Sequence, residues 1–293
     1  MTRNTYLVIF AIILTIVAYA LFSRFGNSTQ DSTLEAIRAR GELRVGFEAG
    51  YMPFEMIDRR SGVRQNDIPH GDVRRGSQQQ ANFMGFDIDM AREMANDLGV
   101  EFVPVETAWP NLITSLNANR FDIIISGMSI TEERQKRLDF TESYMTIGQT
   151  VLLNKKHAAT VQSYEDLNNS KYVVTSQAGT TGEEAIKKFL PQANYTSYNT
   201  ADEGALAVLS GEIDAFIYDH PFNATFIALH GSDTLVFLDD PFTTEQLAWA
   251  IKQNDPTFSA WLNDFLETIH EDGRYNQIYS KWFEDTAWMN YVR

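Results

Sequence analysis

Cysteine is missing from all 293 residues, which removes disulfides, thiolate metal sites, cysteine nucleophiles and lipid attachment through an N-terminal cysteine together. Positive charge is scarce as well: 24 lysines and arginines stand against 39 aspartates and glutamates, for a net charge of -15. Such a chain has no broad cationic face for phosphates, so it does not bind nucleic acid in general. A small polar ligand stays open, because a local site can differ in sign from the whole surface. The five histidines are His70, His157, His220, His230 and His270. None forms a metal-spaced pair such as H-E-x-x-H, and there is no G-x-S-x-G. On these grounds no metal, cofactor or catalytic residue is expected. What is present, 44% hydrophobic and 22% charged residues, is the composition of a folded globular protein. Its length exceeds one ordinary core and implies two domains.

The N-terminus carries an address. Behind Arg3, an apolar run extends from Tyr6 to Phe22, broken only by Thr15, and Ala18-Tyr19-Ala20 has the small-x-small form of a cleavage site. Residues 1–22 read as a cleaved export signal. An uncleaved anchor is the alternative, because the run just reaches the lower limit of about 17 residues for a membrane span. Either way, the chain after Ser23 is exported.

Residues 23–42 read as a polar spacer and a short helix, with a capping box at Ser32-Thr33-Leu34-Glu35 and a stop at Gly41. Leu43 to Phe47 is a first strand. From Asp58 to Asn82 no apolar period survives; Arg59, Arg60, Arg64, Arg74, Arg75 and the run Gln78-Gln79-Gln80 mark a long surface loop. Met90, Met94 and Leu98 then recur every four residues up to Gly99, a helix with its stop. A strand at 102–105, a helix opened by Pro110 and the apolar strand 121–125 complete an α/β alternation. It recurs as strand 172–174, helices 183–190 and 201–209, strands 213–217 and 246–251, and helices 258–269 and 275–283. The stretches Leu116 to Ile124 and Leu209 to Phe216 share one order: helix end, polar turn, apolar-Asp-apolar strand. This marks two similar lobes.

Open α/β sheets bind ligands beyond the carboxyl ends of their strands. Ser126-Gly127-Met128-Ser129-Ile130-Thr131-Glu132-Glu133-Arg134 follows one such end. Ser129 with Glu132 reads as a capping box, and a helix start beside Arg134 would receive a carboxylate. Gln177-Ala178-Gly179-Thr180-Thr181-Gly182-Glu183-Glu184 repeats the arrangement, with a Thr181/Glu184 box. A capped surface helix would look the same in either stretch; two in similar positions say more than one. Asp219, after another strand, is placed to take an ammonium group, or else to cap a helix at His220. Tyr51 and Trp109 are candidate walls or plain core residues. Glu48 is a candidate acceptor for an amide or a cation, or a solvated acid.

With these residues in view, the chain resembles the bacterial extracellular solute-binding proteins for polar amino acids, family 3, of the type II periplasmic-binding fold. The resemblance spans about Leu34 to Phe283. Its carriers are Leu43-Arg44-Val45-Gly46, Pro53-Phe54-Glu55, Gly85-Phe86-Asp87-Ile88-Asp89, Asp122-Ile123-Ile124, the stretch Gly127 to Arg134, Asp139-Phe140-Thr141, Gly179-Thr180-Thr181 and the closing Tyr275 to Phe283. It implies an α/β fold of two lobes, each a mostly parallel sheet flanked by helices, joined by two hinge strands. Lobe 1 would be residues 43–145 plus 245–293, and lobe 2 residues 149–239. It further implies an α-carboxylate held by Arg134, Gly127, Ser129 and Thr181, and an α-ammonium at Asp219 with help near Ser126. Tyr51 and Trp109 become aromatic walls, and Glu48 and Gln177 readers of the ligand side chain. The expected protein is a periplasmic monomer that closes on a small-molecule amino acid and delivers it to an ABC transporter permease in the inner membrane. Three features depart from the family: the long stretch 58–82, the missing lipid-anchor cysteine, and Glu48 where an aspartate is more usual. The rival functions are a prephenate-type dehydratase, known on this fold, and a ligand-sensing component of a signalling system.

Overall fold

Runs of β-branched and aromatic residues become strands, and four-residue periods become helices, in a computed structural model that describes residues 32–58, 60, 82–231 and 233–292. The export segment 1–22, the spacer to residue 31 and most of the arginine-rich stretch lie outside the described residues. Among the described residues no helix is long and apolar enough to cross a membrane.

In chain order the strands are β1 (Glu42–Phe47), β2 (Met56–Ile57), β3 (Phe83–Met84), β4 (Glu101–Glu106), β5 (Ile123–Ile124), β6 (Asp139–Phe140), β7 (Met145–Ile147), β8 (Gln149–Asn154), β9 (Val173–Gln177), β10 (Asn194–Tyr198), β11 (Ala215–Asp219), β12 (Leu235–Leu238), β13 (Glu245–Leu247) and β14 (Ala250–Ile251). The helices are α1 (Thr33–Arg40), α2 (Phe86–Leu98), α3 (Leu112–Asn117), α4 (Glu132–Gln135), α5 (Thr181–Phe189), α6 (Ala201–Ser210), α7 (His220–His230), α8 (Pro256–Glu271) and α9 (Arg274–Tyr279).

Two five-stranded sheets result, ordered β4-β1-β5-β14-β6 and β10-β9-β11-β8-β12. In each, four strands run one way and a single strand is reversed: β14 in the first, β8 in the second. The reversed strand is the one that has just crossed from the other lobe. The crossings are β7 and β13, which pair antiparallel with Met145 opposite Leu247 and Ile147 opposite Glu245. The fold is therefore the two-lobed type II architecture, with two hinge strands side by side.

The cores follow from the apolar runs. Ile123, Ile124 and Ile125 are buried beside Val45 and Phe47 in lobe 1, as are Val151, Leu153, Ile186 and Ile217 in lobe 2; each such side chain contributes roughly 1.5–3 kcal/mol. Gly41 and Gly99 end α1 and α2 in the left-handed conformation, as expected from their positions. Asp255 caps α8 at the Phe258 N–H and also accepts the Thr33 N–H at 2.7 Å, which fastens α1 to the start of α8.

Two expected elements are subdivided. The strand expected over 246–251 is broken between β13 and β14, where the Ala248 N–H turns to the Met128 carbonyl and the Trp249 N–H to Thr141 Oγ1. There the chain leaves the hinge and enters the lobe 1 sheet. The helix expected over 275–283 is α9 followed by a wider turn over Ser280–Glu284.

Candidate functional site

The carboxyl ends of β1, β4 and β5 in one lobe face those of β9 and β11 in the other. Between them lies a cavity of about 20 Å³ lined by Glu48, Tyr51, Trp109, Ser126, Gly127, Ser129, Arg134, Thr180, Thr181, Tyr218 and Asp219. Nine of the ten residues singled out in the sequence are in this lining. The tenth, Gln177, stands behind Glu48: its Nε2 donates to Glu48 Oε2 at 2.6 Å, and its Oε1 accepts from the Tyr218 hydroxyl at 2.9 Å.

Arg134 is the cation of the cavity. It is only 8% exposed, and burial holds its guanidinium below the ordinary arginine range against the pull of Glu184, Glu245 and Asp219. Nη1 donates to the Ser129 carbonyl at 2.8 Å, Nη2 reaches the Gly179 carbonyl at 3.4 Å, and the group lies over the Trp109 ring, 5.1 Å from its centroid. It forms no ion pair among the described residues. A buried cation held only by neutral groups is costly, and an anion would stabilise it strongly.

Asp219 is the opposite pole. It is the last residue of β11 and precedes α7, yet its side chain makes no capping bond to that helix. Instead, one oxygen accepts from the Tyr51 hydroxyl and the other from Gln149 Nε2 at 2.5 Å. Burial, and then the charge of Glu245, push it up to about 7. The helix-cap alternative for Asp219 is thereby excluded.

The lobes touch through these groups. Trp109 Nε1 donates to the Gly179 carbonyl at 3.0 Å, Tyr51 reaches Asp219, and Glu48 meets Gln177. Glu48 also accepts the Trp109 N–H at 2.8 Å, so its carboxylate is oriented from both lobes.

Several sequence expectations are corrected. Ser129 is not the cap of α4. An antiparallel bridge to Leu247 keeps Ser129 extended, its hydroxyl donates to Glu245 Oε2 at 2.8 Å, and Thr131 caps the helix at the Arg134 N–H. The helix is a single turn. Thr181 is likewise the first helical residue of α5 and not its cap; Thr180 holds the cap position but turns its hydroxyl to the Gln177 carbonyl at 2.8 Å. Thr181 Oγ1 accepts from Gln149 Nε2 at 3.3 Å. The Gly127 N–H points away from the cavity, to Asp87 Oδ2 at 2.7 Å. Gly127 is glycine for two reasons: its φ is +50°, and a Cβ would come within 2.2 Å of the Tyr51 ring.

Four neighbours escaped the sequence reading: Thr180, Tyr218, Gln149 and Glu245. Tyr218 directly precedes Asp219, and a phenol at a buried strand end was a readable signal. Gln149 and Glu245 carried none. They stand on either side of the lobe crossings, 96 residues apart, and meet only because β7 and β13 pair. Behind Gly127, Asp87 and Glu55 are fully buried; burial raises Asp87 to about 7 and Glu55 well above the carboxylate range.

A family model described as bacterial extracellular solute-binding proteins, family 3, matches residues 43–285. Among solved structures, a lysine complex described as an ABC transporter binding component, from Wolinella succinogenes, is 43% identical with a TM-score of 0.76, covering 86% of this chain and 99% of that one. The L-cystine-binding protein of Escherichia coli is 26% identical over 86% of both chains. A cyclohexadienyl dehydratase of Pseudomonas aeruginosa is also 26% identical, over 90% of this chain and 91% of its own.

Proposed function

The chain belongs to the bacterial extracellular solute-binding proteins of family 3, and on that premise we propose that it captures a free amino acid with a basic side chain between its lobes and delivers it to an ABC transporter permease. The observation that carries this reading is the pair of opposite buried poles, Arg134 and Asp219, in one cavity between the lobes. A zwitterion has the complementary charges: carboxylate to Arg134, Ser129 and Thr181, ammonium to Asp219. Tyr51 and Trp109 flank the aliphatic part. Glu48, oriented by Trp109 and Gln177, receives the far end of the side chain, and a carboxylate there favours a cation over an amide. The lysine-bound relative points the same way.

The cavity holds little more than one water, so an amino acid of roughly ten heavy atoms enters only if the lobes part. We take lobe 1 as residues 43–145 with 245–293 and lobe 2 as 149–239, hinged at β7 and β13. A ligand that touches both lobes stabilises the closed form by its differential contacts. Micromolar affinity, about -8 kcal/mol, lies well within the ceiling for such a ligand. The working state is a periplasmic monomer that offers its closed form to the permease. Calorimetric titration with L-lysine, L-arginine, L-glutamine and L-leucine tests the reading. The basic pair is expected to bind at micromolar Kd or tighter, glutamine more weakly and leucine not at all; silence from all four overturns it.

A dehydratase is the second reading, favoured by one observation: Asp219, near neutral pKa in the cavity, has the poise of a general acid. The carrier reading expects no keto-acid product from prephenate, and steady turnover would replace it.

A further inference from the structure

Gln149 opens β8 and is wholly buried. Its Nε2 lies 2.5 Å from Asp219 Oδ1, 3.0 Å from Glu245 Oε1 and 3.3 Å from Thr181 Oγ1. Two carboxylate oxygens at 2.5 and 3.0 Å from one nitrogen cannot be more than 5.5 Å apart. An amide donates hydrogen bonds but brings no net charge, so Gln149 bridges the two acids without neutralising either. Around Asp219 stand the Tyr51 hydroxyl, Gln149, Tyr218, Glu245 and the Arg134 guanidinium. His220, next in the chain, turns instead to Asp239 at 2.6 Å. Glu245 in turn accepts from Ser129 Oγ at 2.8 Å and Thr243 Oγ1 at 2.9 Å. Arg134 is thus the one cation named among these groups, and two acids share it.

Carboxylates this close resist joint ionisation, and the proton that relieves them leaves when a new cation arrives. We propose that Glu245 is a positioning residue of the ammonium site, acting through Gln149 on Asp219, and that it couples ligand capture to release of a proton. The inference rests on the cleft being an amino-acid site. On binding, the Asp219 O–H bond breaks, its proton passes to bulk solvent, and the carboxylate pairs with the incoming ammonium. Glu245 also touches Ser129, at the carboxylate end, and lies on a hinge strand, so one side chain is bonded to that end directly and to the ammonium end through Gln149.

The test is calorimetry of L-lysine binding at pH 7.0 in phosphate and in Tris, whose different ionisation enthalpies count the protons exchanged. With Asp219 at about 7, the natural protein is expected to release about half a proton and to bind about tenfold more weakly at pH 6 than at pH 8. Glu245→Gln, which leaves the burial of Asp219 but removes the second charge, is expected to release clearly less than the natural protein and to move the inflection to lower pH. Gln149→Met, which removes the bridging amide, is expected to shift the inflection to higher pH, and serves alone if the first variant does not fold. Binding without proton release in the natural protein, release unchanged in Glu245→Gln, or an unmoved inflection in Gln149→Met would each overturn the inference while leaving the amino-acid site intact. No heat at all from L-lysine would bring down the basic-ligand reading itself, and this inference with it.

Discussion

The two lobes are alike at the far ends of their sheets and different at the cleft. In lobe 1, Asp122 accepts the Arg44 N–H of β1 and pairs with Arg40 and Arg44. In lobe 2, Asp214 accepts the Val173 N–H of β9 and pairs with Lys156 and His157. The same job is done twice, by the same residue in the same apolar-Asp-apolar frame. In that register Gly46, opposite Ile124, matches Thr175, opposite Phe216, which makes Glu48 the counterpart of Gln177 and Gly127 the counterpart of Asp219. Glu48-Ala49-Gly50 and Gln177-Ala178-Gly179 even read alike. The equivalent positions Glu48 and Gln177 meet at 2.6 Å, while lobe 1 adds a buried cation and lobe 2 a buried acid. The repeated ends are scaffold, and the two buried poles stand where the repeat fails.

Arg134→Ala strikes that difference hardest. Losing the positive pole is expected to weaken L-lysine binding by about 2–5 kcal/mol, more than 30-fold in Kd by calorimetry. The ligand-free melting temperature is expected to change little, because Arg134 forms no direct ion pair among the described residues and its burial cost is removed with it. A large loss of stability with unchanged affinity would assign Arg134 to the scaffold.

Acid stability separates the two ends next. Burial raises Asp219 and Asp87 to about 7 in the folded protein, against about 3.9 unfolded. The proton is held more tightly when folded, so the associated stability is full below about pH 4 and is lost as pH rises through 7. At the scaffold end, hydrogen bonds from Val173, Lys156 and His157 outweigh burial and hold Asp214 low, which contributes the opposite slope only in acid. The ligand-free protein is expected to lose up to about 5 kcal/mol between pH 5 and pH 8 by chemical denaturation, roughly 2.5 kcal/mol for each of the two acids. A flat profile would dissolve the distinction. Glu48→Gln comes third: L-lysine affinity should fall about tenfold, by roughly 1.5 kcal/mol for a lost charged hydrogen bond, with L-glutamine nearly unaffected.

Much of the fold is legible in the sequence. The alternation of apolar runs and four-residue periods located the sheets and helices, and Arg134, Asp219, Glu48 and Trp109 stood at strand ends where ligands bind. The helix starts differ from expectation because overlapping Ser/Thr-x-x-Glu patterns at 129–132 and 181–184 compete with neighbouring cap positions at Thr131 and Thr180. Only the bridge from Ser129 to Leu247 settles the first. The Gly127 N–H looked available because Asp87, which takes it, is 40 residues away. Gln149 and Glu245 were invisible for the same reason: their partners are fixed by the crossing of two strands, and crossings leave no local period.

The smallest effect on binding is the sharpest check of the comparison. Asp122→Asn and Asp214→Asn each remove a charged acceptor from a pair of bases at the far end of a sheet. Each is expected to cost about 1–3 kcal/mol of stability, measured by chemical denaturation, because the bases and a strand N–H lose their anion. Ligand affinity should stay within twofold. Asp214 stands immediately before β11 and Asp219 ends it, five residues on and about 16 Å away at the rise of an extended chain, and energetic effects beyond about 10 Å without shared partners are close to independent. Their hydrogen-bond partners do not overlap: Lys156, His157 and Val173 for one, Tyr51 and Gln149 for the other. A tenfold loss of affinity in Asp214→Asn would mean that β11 transmits strain along its length, so that scaffold and site could not be told apart by position in the repeat.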